Sequence, residues 1–319
     1  MAHQLTITSR GTAEMAFVGE TPWHGLGQLL LPDATIDEWR VAAGMNWDIM
    51  RTHVQYTNGE LHDWKENHVL YRSDTNTPLA IVSPKYKEVQ PKQVLEFFQS
   101  LVEQNGFSLE TAGTMKGGRR FWALANTGLG GEVVDGDNIN TYLLLVTSCD
   151  GGLATTAQFT SIRVVCNNTL QMSLNSGHGT RVSVRHNTTF NPNSFKAELG
   201  LNATEVYNDF MDRMKGFANT SLSGARAEEI IEEMFAKKGV TVPILATKGF
   251  KTVLQLFNGV GKGSQIDGVA GTAWGLVNAV TEYSDFHIRA KNQEYRLDSA
   301  WFGAGHALKD NILEIVAEV

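Results

Sequence analysis

From Gly151 to Ala197 the chain carries no Asp or Glu, where the chain's average share would place about five. The same stretch holds Arg163, Arg181, Arg185 and Lys196, with His178 and His186, and is rich in Asn, Thr and Ser. Guanidinium groups bind phosphates in pairs of parallel hydrogen bonds, and short polar side chains add further donors. Thr180–Arg185 alternates, so a strand there puts Arg181, Ser183 and Arg185 on one face and Val182 and Val184 on the other. A second basic run, Lys116-Gly117-Gly118-Arg119-Arg120, reads as a hairpin tip that joins this face if its strands are neighbours. These residues specify a local polyanion site: Lys116, Arg119, Arg120, Arg163, Arg181 and Arg185. The competing reading is a solvated sheet face that happens to lack acids. Phe121, Trp122, Phe159 and Phe190 would stack on bases if they shared that face, but strand aromatics usually face a core.

Other arrangements carry less chemistry. Thr21-Pro22-Trp23-His24-Gly25 is a turn-rich loop in which His24 can act as an acid or base beside Trp23, or in which Trp23 fills a notch in the core. Asn258-Gly259-Val260-Gly261-Lys262-Gly263-Ser264 departs from both phosphate-loop patterns: Leu256 stands at the first glycine of one, and Ser264 at the third glycine of the other. It reads as a loop between helices. His53, His62 and His68 lack the spacing of a helical metal site, and Cys166 with His186 has no spacing that marks a nucleophile and base. Glu282 and Asp285, three apart, can share a cation or close a helix with salt bridges. Glu228, Glu229, Glu232 and Glu233 form an acidic helix face. No catalytic residue, metal or cofactor is assigned.

Composition bounds the function. The 319 residues carry a net charge of −7, so binding to polyanions must be local. With 42 % hydrophobic residues and 7 Trp, the chain can bury a core and is not disordered as a whole. Two cysteines, Cys149 and Cys166, are too few for a disulfide framework or a four-cysteine zinc site. Their scarcity, the polar opening residues and the lack of a long apolar run lead us to expect a cytoplasmic protein with no membrane partner.

The elements that must position these residues fall in two textures. A short helix follows Asp33 or Thr35. Runs between Trp47 and Val82 alternate around an Asn58-Gly59 turn. Pro91 opens a helix with Val94, Leu95, Phe97, Phe98 and Leu101 at helical spacing, which Asn105-Gly106 ends. Strands are predicted over Phe107–Met115, Arg120–Ala125, Ile139–Thr147, Leu153–Val165 and Thr180–Arg185, with a helix interposed at Cys166–Leu174. Residues 1–45 otherwise read as irregular. A long helix capped by Ser194 is predicted to about Ala218, then helices at Ala225–Lys237, Lys248–Phe257, Val269–Tyr283 and Leu297–Val319. Strands before helices mean α+β, with an antiparallel, sheet-rich N-terminal two-thirds and a helical C-terminal third. We place the divide at a β-rich core, residues 1–190, with a helical region, residues 191–319, packed on it.

Met15-Ala16-Phe17-Val18-Gly19-Glu20-Thr21-Pro22-Trp23-His24-Gly25-Leu26-Gly27 resembles the opening of a phage- and plasmid-associated family of unknown function. Arg163-Val164-Val165-Cys166-Asn167-Asn168-Thr169-Leu170 looks like its central signature. Gly271-Thr272-Ala273-Trp274-Gly275, through Asn278-Ala279-Val280-Thr281-Glu282-Tyr283, is similar to its C-terminal one. The resemblance implies a mobile-element context and a host-cell cytoplasmic site of action, and it supplies no catalytic residues. By fold-level analogy, phage single-strand annealing proteins are compact α+β folds assembled into rings. The resulting expectation is a homo-oligomeric, non-catalytic protein that binds single-stranded DNA in recombination. The alternative is a protein-binding counter-defence or host-takeover factor whose partner is a host protein.

Overall fold

The computed structural model describes residues 6–8, 11–19, 26–163, 169–171, 181–200, 202–236, 245, 247–289, 299–300 and 303–319. The fold is α+β, with strands concentrated before residue 185 and helices after it. The strands are β1 (Met15–Val18), β2 (Gln28–Leu30), β3 (Ile49–Asn58), β4 (Glu60–Arg72), β5 (Pro78–Val82), β6 (Ser108–Met115), β7 (Arg120–Glu132), β8 (Asn138–Ser148), β9 (Thr155–Arg163), β10 (Thr169–Gln171) and β11 (Arg181–Val184). An eight-stranded sheet runs β10-β9-β8-β7-β6-β1-β2, with β11 also on β9, and a second sheet runs β3-β4-β5. The chain forms two compact units. The first is Met1–Gly128, Tyr142–Phe159 and His178–Asn202; the second is Leu129–Thr141, Thr160–Gly177 and Ala203–Val319.

In the first unit, helix α1 (Ile36–Ala42) starts because Thr35 and Glu38 cap each other. Thr35 Oγ1 accepts from the Glu38 N–H, and the Glu38 carboxylate accepts from the Thr35 N–H at 2.6 Å, which holds that carboxyl below its usual range. Helix α2 (Pro91–Asn105) starts at Pro91 and stops where Gly106 turns left-handed, φ 71°. Its apolar stripe, Val94, Leu95, Phe97, Phe98 and Leu101, is fully buried. Phe97 meets Phe195 of helix α3 (Pro192–Leu199) edge to face.

A buried arginine ties the first unit's strands together. Arg72, at the end of β4, donates two hydrogen bonds to Glu14 (2.8 and 3.1 Å) and two to Asp74 (3.0 and 2.8 Å). Its guanidinium lies 4.3 Å from the ring centre of Trp47, and Thr114 of β6 donates to the same Glu14 carboxylate. Burial alone would lower the Arg72 pKa, but the hydrogen bonds and charges of Asp74 and Glu14 outweigh it and raise it. The β6–β7 turn packs on this hub. Gly118 has φ +91°, and a Cβ there would sit 2.8 Å from Trp47 and 3.0 Å from Arg72 Nη1, so a larger residue has neither the conformation nor the space.

The second unit contains the far ends of β7 and β8 and helices α4 (Ala203–Asn219), α5 (Gly224–Phe235), α6 (Lys248–Gln255), α7 (Ala273–Glu282) and α8 (Ala304–Val316). All ten residues of α7 are buried. Its Trp274 Nε1 donates to the buried carboxylate of Asp137 in the β7–β8 turn at 2.8 Å. A buried Lys309–Asp285 ion pair, 2.5 Å, joins α8 to the wide turn that extends α7.

Four expectations are corrected. Residues 1–45 contain two strands, and β1 lies between β6 and β2. Their runs are too short to alternate visibly, and β1 pairs across about a hundred residues of sequence. Residues 169–171, expected within a helix, form β10 against Thr160–Ile162; the rest of Cys166–Leu174 lies outside the described residues, apart from these three. The helix expected from Ser194 to Ala218 is two helices. Asn191 caps the first by accepting from the N–H groups of Asn193 and Ser194, and Gly200, φ 72°, ends it. The strand expected to reach Arg185 stops at Val184.

Candidate nucleic-acid interface

One end of the large sheet, within the first unit, collects the basic segments through a continuous chain of hydrogen bonds. The Cys149 N–H donates to the Arg119 carbonyl at 2.9 Å, which sets the β6–β7 turn beside the end of β8. Ser148 Oγ and Leu153 close the β8–β9 turn with two bonds, 2.9 and 3.0 Å. The ring nitrogens of buried His186 lie 3.1 Å from the Leu153 carbonyl and 3.0 Å from the Lys87 carbonyl. Whichever nitrogen carries the proton, one of these carbonyls receives it. The Lys87 N–H donates back to the His186 carbonyl, 2.5 Å. Tyr86 stacks on the His186 ring with centres 4.8 Å apart, and its hydroxyl donates to the Ser148 carbonyl at 3.0 Å. Burial raises the pKa of that hydroxyl and pushes the Cys149 thiol up to about 12, so both groups stay protonated and neither supplies a nucleophile.

This frame carries cations. Lys85, Lys87, Arg119 and Arg185 are exposed, and Lys116 is half-buried in its turn. Arg181 is exposed four residues back from Arg185, about 13 Å along the strand direction. Its partner across β11–β9 is Gln158, and the neighbouring exposed Ser183 shares a hydroxyl hydrogen bond of 2.8 Å with Thr156. Among the described residues, Arg119, Arg181 and Arg185 form no ion pair, and neither do Lys85 and Lys87. Of the nearby carboxylates, Glu88 is held by Arg51 at 2.5 Å, and Asp150 accepts the Gly152 N–H at 2.9 Å. From Arg119 to Arg185 the sheet crosses β7, β8, β9 and β11, about 14 Å at the usual strand spacing. Cations spread over that span fit a string of charges better than one phosphate.

The other expected residues fall elsewhere. Arg120 is buried; its Nη2 would lie 3.2 Å from a Cβ on Gly152, so it faces the β8–β9 turn and not solvent. Arg119 closes the β6–β7 turn and is exposed, whereas β7 begins at Arg120 and buries it. Arg163 ends β9, and only its backbone is described; Trp23, His24 and Cys166 lie outside the described residues. Phe121, Trp122, Phe159 and Phe190 are core residues. Lys196 lies 5.2 Å over the Phe97 ring, and burial lowers its pKa. Lys85 and Lys87 were not anticipated, because they follow Pro84 a hundred residues before β11. The dense run Lys85-Tyr86-Lys87 is the one sequence signal that pointed to them.

The remaining motifs resolve into structure. His53 and His68 face each other across β3–β4 at 5.0 Å, and His62 stacks on Tyr56 at 5.2 Å. Among the described residues no group of three His, Cys, Asp or Glu can hold a metal ion. In the second unit, the Lys262 N–H of the 258–264 loop donates to the Glu282 carboxylate at 2.9 Å. That internal carboxylate takes a donor that a bound phosphate would need. Of the two readings of Glu282 and Asp285, a shared cation or a helix end closed by salt bridges, Asp285 follows the second and is paired with Lys309. Glu228, Glu229, Glu232 and Glu233 are exposed on α5.

Among the described residues no helix is long and apolar enough to cross a membrane. No curated protein and no solved structure matches the chain. The family described as domain of unknown function (DUF932) matches residues 78–301, which include β5 through α7 and every cation of the basic end. The match covers well over half of the sequence, and the chain therefore belongs to the DUF932 family.

Proposed function

We propose that this protein binds single-stranded nucleic acid without catalysis, through the basic end of the first unit's sheet and the adjoining β11 edge. One observation carries the reading. Five exposed cations without ionic partners among the described residues, Lys85, Lys87, Arg119, Arg181 and Arg185, stand on one hydrogen-bonded frame in a protein of net charge −7. Unpaired surface guanidinium groups attract phosphates and repel each other, so an acidic protein that clusters them gains most when a polyanion covers them. The frame is tied together: His186, Tyr86 and Leu153 link its loops to the ends of the strands. The neutral thiol and phenol beneath it offer no activated group for cleavage or transfer. A role in annealing or recombination, in a phage or other mobile element, is the biological setting we assign to such binding.

Binding of a labelled single strand, measured by filter retention across a salt series, tests this. The logarithm of the affinity should fall linearly with the logarithm of salt concentration. The triple change Arg119→Ala, Arg181→Ala, Arg185→Ala should reduce that slope by about 2, at roughly 0.7 per phosphate contact. Absence of binding at low salt, or a slope untouched by the triple change, rejects the reading.

A further inference from the structure

We propose that the β3–β4 arm of one copy of this chain docks on the basic end of the sheet of a second copy, making a head-to-tail assembly. The arm lacks a core of its own. Strand β5 pairs only with His68–Tyr71 of β4, so beyond His53 the hairpin is a bare two-stranded ribbon. Residues 60–66 are all exposed, and Val54 alone is buried among residues 54–58. The register places Trp64 opposite Val54 and His62 opposite Tyr56 on one face, with Leu61 opposite Thr57 on the other. Tyr56, Leu61 and Trp64 are 53, 66 and 46 % exposed. A two-stranded hairpin is marginal in water, and a long open edge with aromatic side chains invites a partner.

Charge selects the occupant. Along residues 60–66 stand Glu60, Asp63 and Glu66 against Lys65, and among the described residues Asp63 accepts from the side-chain amide of Gln55, at 2.8 Å, and pairs with no cation. Three carboxylates against one ammonium disfavour a nucleic acid on this ribbon and favour a cationic protein face. Such a face exists on the same chain, at Lys85, Lys87, Arg119 and Arg185. Tyr56 and Trp64 add aromatic surfaces on which guanidinium groups stack. The arm's root is tied to the 86–90 segment, where Ile49 bonds Gln90 and Arg51 bonds Tyr86 and Glu88. The arm is exposed in the single chain, so the acidic ribbon is left to another copy. Two different patches meeting make a heterologous contact, which repeats as a ring or a filament. A single strand and a second copy would compete for the same arginines, but the assembly does not require that nucleic acid binds at all.

Sedimentation of the full chain, free of nucleic acid, tests the proposal. Self-association should appear with rising concentration and weaken with salt. Asp63→Lys with Glu66→Lys should weaken it about tenfold or more, as should Arg119→Glu with Arg185→Glu. Mixing the two variants should restore association, because a reversed, cationic arm then meets a reversed, anionic end, and an unreversed arm meets an unreversed end. Trp64→Ala should weaken association without changing the sign pattern. Circular dichroism of each variant confirms that the fold is kept. A chain that stays monomeric at every concentration overturns the proposal, as does association indifferent to both reversals or not restored by mixing. So does a Trp64→Ala variant that loses affinity for a single strand while assembling normally. Failure to bind a single strand in the salt series, with association intact, would sink only the nucleic-acid reading.

Discussion

Arg72 and Arg185 are the same residue type in the same compact unit, and their surroundings give them opposite work. Arg72 is buried, with four hydrogen bonds to two carboxylates and an indole face over its guanidinium. Arg185 is exposed and has no ionic partner among the described residues. A buried cation is held by charges its own fold supplies, and removing it strands those charges. An exposed unpaired cation contributes almost nothing to the fold, so its place there is explained by what it meets. Cations therefore sort into scaffold and surface by partner and burial, and Arg120 sorts with Arg72 despite its place in a basic turn.

The largest expected effect follows from breaking the buried side of this contrast. Arg72→Met leaves the buried Glu14 carboxylate, among the described residues, with Thr114 as its one donor, and should cost about 3–5 kcal/mol, read as a fall in the denaturant midpoint at unchanged slope. A loss below about 1 kcal/mol would mean that the hub is not what joins β1, β4 and β6. Gly118→Val attacks the same hub from the turn. It combines a left-handed backbone with a clash against Trp47, and should cost about 1–3 kcal/mol.

The opposite side is tested by the surface set. Arg119→Ala with Arg185→Ala should move stability by no more than about 0.5 kcal/mol in thermal or chemical unfolding. A larger loss would place these arginines with the scaffold and remove the reason for assigning them a ligand.

Much of this contrast was legible in the sequence where the signals are local. The Asn58-Gly59 turn, the Pro91 start and the Gly106 stop of α2 each need only neighbours in sequence to act, and each falls where expected. The alternation of β11 likewise exposes Arg181 and Ser183 and buries Val182. What was not legible depends on remote partners. β1 is four residues long and is a strand because β6 and β2 flank it. Lys87 joins the basic end because its backbone bonds His186 across 99 residues of sequence. Arg72 carries no local signal of its role, since neither Glu14 nor Trp47 is near it in the chain. The break at Gly200 does have a local signal, because a glycine can take the left-handed conformation that ends a helix.

The smallest effect we expect is a dependence on pH, and it separates the two kinds of arginine without disturbing either. Burial would raise the pKa of Asp74, but the hydrogen bond and charge of Arg72 lower it below the carboxylate's ordinary 3.8. A carboxyl whose pKa is depressed by folding stabilises the native state above its unfolded pKa, and that contribution is lost as pH falls through the folded value. Unfolding midpoints followed from pH 7 down to about pH 3 should therefore drop on the acid side. In Asp74→Asn part of that drop should disappear, because the variant has no proton to take up there. The surface pair Arg119→Ala with Arg185→Ala should reproduce the parent's acid profile, since no carboxylate among the described residues is paired to either residue. A flattened profile in the surface pair, or an unchanged one in Asp74→Asn, would show that the acid sensitivity arises outside the Arg72 hub. Scaffold and surface arginines would then no longer be told apart by the carboxylates that hold them.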